Sequence, residues 1–193
     1  MAIQTEEYKG ATISIEQDDF EENPRDWQLG TIISMKDVAN QVSREAFQDI
    51  REKVNKGVSP KTAIKHWYPD VALILPLYTF EHGAITFALH TNFPDFRWDG
   101  GWTGFIFVTR QELRNWFSRE RLSASLVQKI TDQLASDLEY FSNWVNGWIY
   151  AFMVEDSGIE DLDGVWYGGY NSTAEAMDNA KAMIDDYRER EPA

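Results

Sequence analysis

From Leu122 to Phe141 the apolar side chains return every fourth residue: Leu122, Leu126, Ile130, Leu134 and Leu138, with Val127 and Phe141 beside them. That period predicts an amphipathic helix over Ser123–Phe141. A second constraint is the β-rich apolar pair Val71–Phe80 and Ala84–His90, separated by Glu81-His82-Gly83. It reads as a hairpin in the centre of a sheet.

The remaining elements follow from shorter signals. Thr12–Ile15 and Thr31–Ser34 read as short strands around an acidic loop, Asp18–Gly30. Val38, Val42, Ala46, Ile50 and Val54 predict a helix over Asp37–Asn55, capped by Asp37 and stopped by Gly57. Pro60–Trp67 opens with proline and reads as a shorter helix. Thr91–Gly101 reads as a loop leading to a strand over Trp102–Val108. Thr109-x-x-Glu112 and Ser172-x-x-Glu175 are capping boxes that open further helices. Strands are expected at Trp144–Glu155 and Gly164–Tyr170. Short turns join neighbouring strands and helices come in blocks. The expected class is α+β: a mostly antiparallel sheet with helices packed on one face, in a single domain over 1–193.

Charge is unevenly placed. The net charge of −14 resides in residues 1–30, with 8 acids to 2 bases, and in 153–193, with 11 acids to 3 bases; residues 31–152 carry 13 of each. Such ends repel phosphate backbones and anionic lipid and attract basic protein surfaces. The expected partner-binding acidic face comprises Asp18, Asp19, Glu21, Glu22, Glu155, Asp156, Glu160, Asp161 and Asp163. Direct nucleic-acid binding is not expected. Nor is a membrane span, because the longest apolar run, Val71–Leu77, is short and interrupted by Pro76. The N-terminal residues lack the basic and apolar regions of a signal peptide, and a cytoplasmic location in a host cell is expected.

Few residues suggest chemistry. The absence of cysteine excludes disulfides, a thiol nucleophile and cysteine-ligated metals. No G-x-S-x-G, H-E-x-x-H or phosphate-binding P-loop occurs. Asp156–Asp163 lacks the spacing of a calcium loop. No metal, cofactor or catalytic residue is therefore expected. One polar group stands as an alternative site: Glu81 and His82, which can bind a metal or move a proton, together with Asp99. Asp99 lies in Trp98-Asp99-Gly100-Gly101-Trp102-Thr103-Gly104, whose glycines permit positive φ and close backbone approach. That string reads as an aromatic-braced bend entering a strand, with Asp99 accepting N–H bonds within its own turn. Six tryptophans, Trp98, Trp102, Trp116, Trp144, Trp148 and Trp166, fall near element edges. Trp144–Tyr170 contains no Lys or Arg, so core packing or a protein-binding hot spot fits better there than base stacking.

Four segments together resemble a known family. Asn23-Pro24-Arg25-Asp26-Trp27-Gln28-Leu29-Gly30-Thr31 is similar to an NPR-x-W…LGT opening. Leu75-Pro76-Leu77-Tyr78-x-x-Glu81-His82-Gly83-x-Ile85 is similar to LPLY-x-x-DHSGI. Trp98-Asp99-x-Gly101-x-x-Gly104-Phe105-Ile106-Phe107-Val108 resembles WDSGQVGFIYV, and Asp163-x-x-Trp166-Tyr167-x-Gly169-Tyr170 resembles a D-S-x-WGFYG close. In this order they resemble uncharacterised proteins carried by bacteriophages and plasmids, a family without an established activity. Gln28 and Glu81 depart from its pattern, and the segment after Ser172 lies outside it. The resemblance implies an accessory protein of a mobile element. Combined with the charge, it gives the leading expectation: a non-enzymatic binder of a basic host protein, inhibiting a nucleic-acid-binding defence component. The alternatives are a metal-assisted hydrolase using Glu81, His82 and Asp99, and a homo-oligomeric structural protein.

Overall fold

Two four-stranded antiparallel sheets take up the strands, and the chain divides around them into two units. The computed structural model describes residues 2–19, 22–94, 96–155 and 162–190. One unit joins both chain ends, Met1–Asn23 with Asn143–Ala193; the other is Pro24–Ser142. The α+β class expected from the sequence is what the structure has. Where one sheet was expected, the strands form two.

The first unit contains β1 (Gln4–Tyr8), β2 (Ala11–Gln17), β7 (Tyr150–Glu155), β8 (Val165–Tyr170) and α6 (Thr173–Arg190), with sheet order β1-β2-β7-β8. Ala11, Ile13 and Ile15 alternate inward on β2 and meet Phe152 and Val154 of β7. Ala176, Met177, Ala180 and Ile184 of α6 close this core from one side. Ser172 caps α6 by accepting from the Glu175 N–H (3.1 Å), while the Glu175 carboxylate takes the Asn171 N–H (3.0 Å).

The second unit contains β3 (Thr31–Ser34), α1 (Arg44–Asn55), α2 (Pro60–Trp67), β4 (Val71–Glu81), β5 (Ile85–Ala88), α3 (Phe96–Asp99), β6 (Gly100–Thr109), α4 (Arg110–Phe117) and all but the last turn of α5 (Ala124–Val145). Its sheet order is β3-β6-β4-β5. Ala46 and Ile50 of α1 and Ala63 and Ile64 of α2 pack with Ile33, Val71 and Phe107. Alternation turns Ile106 to the other face, where Leu134 and Phe141 of α5 approach Ile106 and Phe87; the Phe87 and Phe141 rings lie 5.2 Å apart. The Thr109 capping box forms as expected.

Three boundaries differ from the sequence reading. α1 begins at Arg44, not Asp37, because the Ser43 hydroxyl accepts from the Ala46 N–H; Asp37 opens only a 3-10 turn. Trp144 belongs to α5, so the strand expected from Trp144 begins at Tyr150. The segment read as loop up to Gly101 contains α3 and the start of β6.

Candidate functional site

The two units differ sharply in charge. The first contains 18 acidic and 4 basic residues, the second 14 of each, so the whole net charge of −14 belongs to the first. Its four bases are confined to one side. Lys181, Arg188 and Arg190 are on α6, and Lys9 is held to α6 by Asp185 at 2.7 Å. Lys181 pairs with Glu6 (2.7 Å) and Arg190 with Asp186 (2.6 Å). These contacts raise the Lys9 and Lys181 pKa values, chiefly through hydrogen bonds to Asp185 and Glu6.

Among the described residues, the opposite sheet face holds no cation. Register places Glu7 opposite Thr12 and Thr12 opposite Glu155, in one row across three strands. The Thr12 hydroxyl donates to Glu7 at 2.8 Å, confirming the shared side. A parallel row runs Thr5, Ser14, Met153 and Trp166, and Trp166 is 51% exposed. Glu7 and Glu155 are exposed, and Glu16, on the same face, is half-buried.

Of the acidic residues expected to bind a partner, Asp19, Glu22, Glu155 and Asp163 are exposed in this unit. Glu21, Asp156, Glu160 and Asp161 lie outside the described residues. Asp18 has a different role: it is buried, and its carboxylate accepts the Gly169 N–H at 2.7 Å. Burial pushes its pKa up against that hydrogen bond, and neighbouring Asp19 adds to the rise. A side chain at Gly168 would collide with this carboxylate, so Asp18 fixes the path of β8. Glu7, on a strand the sequence gives no local sign of, belongs to the acidic face; Gln4–Tyr8 is polar but for Tyr8.

The alternative polar group assembles only in part. His82 Nδ1 lies 2.9 Å from Asp99 Oδ2, so Asp99, at the end of α3, reaches the turn that follows β4; among the described residues its carboxylate takes no N–H of its own segment. Glu81 instead forms an ion pair with Lys36. Glu81 and Asp99 line an open depression of about 490 Å³ with Met35, Lys36, Trp98 and Trp102. Among the described residues no group of three His, Asp or Glu side chains is placed to hold a metal ion.

Two of the three glycines around Asp99 answer to close packing; Gly101 has open space beside it. Gly100 and Gly104 have no positive φ. A Cβ on Gly104 would strike the Ile33 carbonyl, and one on Gly100 the Phe96 ring.

Comparison with protein-family models, curated proteins and solved structures finds no match in any of the three.

Arg25, Gln28, Leu29 and Gly30 form a buried hub. Arg25 donates to Gln28 Oε1 (2.9 Å) and to the carbonyls of Leu29 (2.9 Å) and Gly30 (2.7 Å). Leu29 N–H donates to Asp137 (3.0 Å) and Gly30 N–H to Glu112 (2.8 Å), tying this loop to α5 and α4. Burial lowers the Arg25 pKa to about 10, against the pull of Asp137 and Glu112. Gly30 has φ +77, and a Cβ there would press on Leu134 and the Phe107 carbonyl. These residues organise the fold; their side chains face inward, away from any partner.

Proposed function

We propose that this chain is a non-enzymatic binding protein whose first unit docks onto a basic protein surface. The supporting observation is the partition of charge: 18 acids to 4 bases in one unit, against equality in the other. The bases gather at α6, leaving Glu7, Glu155 and exposed Trp166 on the face across the sheet. A tryptophan amid carboxylates suits a cationic partner, offering desolvated area and cation–π contact within an attractive field. The resemblance to mobile-element proteins favours a host nucleic-acid-binding protein, whose phosphate-binding surface such a face would occupy.

The test is recovery of a host protein by the immobilised chain. The partner should be basic, released by moderate salt, and lost when Glu7→Lys and Glu155→Lys are combined. Retention that ignores both salt and these reversals would sink the reading. Hydrolysis at Glu81, His82 and Asp99 is less well supported, because Glu81 is engaged by Lys36 while His82 pairs with Asp99.

A further inference from the structure

The second unit is neutral in sum, yet its cations are not evenly matched. Lys53 pairs with Asp49 (2.7 Å), Lys56 with Glu52 (3.3 Å), and Lys36 with Glu81. Lys61, Lys65, Arg110 and Arg121 instead line one depression of about 260 Å³, with Glu120 as its sole carboxylate. Among the described residues, none of these four side chains has an ion pair or hydrogen bond. Lys61 and Lys65 stand four apart on α2, a spacing that brings like charges together and weakens a helix. Val71, Ala72 and Leu122 supply apolar lining.

We propose that this depression binds a compact, multiply charged phosphorylated small molecule. Four cations against one carboxylate give the lining a net charge of +3, which selects for anions. Two arginines favour an oxyanion that accepts forked hydrogen bonds, as phosphate does. The volume lies just under the usual range for drug-sized ligands, roughly 300–1,000 Å³, and so fits a diphosphate or a small phosphorylated metabolite. The recognition is by side chains, not by the N-terminus of α4. Arg110 and Gln111 N–H groups donate to Asp70, and Glu112 N–H donates to Thr109, so those donors are already occupied. The site belongs to the neutral unit and does not rest on the docking role proposed for the acidic one.

Calorimetric titration of the full chain with inorganic pyrophosphate at physiological ionic strength tests this. Saturable one-to-one binding is expected, stronger than for orthophosphate. Arg110→Gln combined with Arg121→Gln should weaken it by about tenfold or more. Both arginines are exposed, and a thermal melt would check that the variant folds. Lys53→Gln with Lys56→Gln, which removes paired cations of the same unit, should leave the affinity unchanged. Absence of saturation, or equal weakening by the control pair, would overturn the proposal. So would a DNA duplex that binds through Arg110 and Arg121 more tightly than pyrophosphate, since the site would then read a polymer.

Discussion

The two units place their charges by opposite rules. In Pro24–Ser142, acids balance bases, and the most buried charge, Arg25, sits in a hub fed by Asp137 and Glu112. In the unit made from the chain ends, charge stays mostly on the surface; among the described residues its buried carboxylate is Asp18, which accepts a backbone N–H. The difference teaches that net charge here reflects segregation more than excess. One unit spends ionic groups on internal structure, while the other leaves them facing outward, where they create a field.

Removing the hub should have the largest effect. Arg25→Ala leaves Glu112 and Asp137 without their nearby cation and two carbonyls without a donor, an expected loss of about 3–5 kcal/mol in chemical denaturation. A loss below about 1 kcal/mol would show that burial in the second unit is not organised by this residue.

Asp18→Ala should cost about 1–3 kcal/mol, since it strands the Gly169 N–H. Asp18→Asn keeps an acceptor and should cost less. Asp18 also sets a pH dependence. Its folded-state pKa is raised, so its protonated form is favoured by folding. That contribution is full below the ordinary aspartate range and is lost as pH rises through the folded-state value. Urea denaturation across acidic pH should show this decline in the wild type and its absence in Asp18→Asn.

The smallest effect belongs to the alternative polar group. His82 is highly exposed, so His82→Ala should change stability by less than about 0.5 kcal/mol. Metal titration of wild type and variant should give the same result; tight binding that the variant loses would revive the hydrolase reading.

Much of this was legible in the sequence, for reasons particular residues show. The α5 stripe, the Thr109–Glu112 capping box and the β4–β5 hairpin are encoded by near neighbours, and all three form. β1 was not legible because Gln4–Tyr8 is polar except for Tyr8, as an edge strand can be. The division into two sheets was hidden because β2 pairs with β7, more than 130 residues away, and no local pattern records such a partner. The acidic ends were visible as composition. Their union in one unit depends on that same pairing, as does the row of Glu7, Thr12 and Glu155. The polar group was half legible: the Glu81-His82 turn is local, but its Asp99 partner comes from another element and the Lys36 that captures Glu81 from a third.

The most direct test is an NMR titration of the full chain with a short oligolysine peptide, following backbone amide shifts. The account predicts salt-sensitive changes concentrated in β1, β2, β7 and β8, largest around Glu7, Glu155 and Trp166. Shifts falling mainly within Pro24–Ser142, or spread equally over both units, would contradict it.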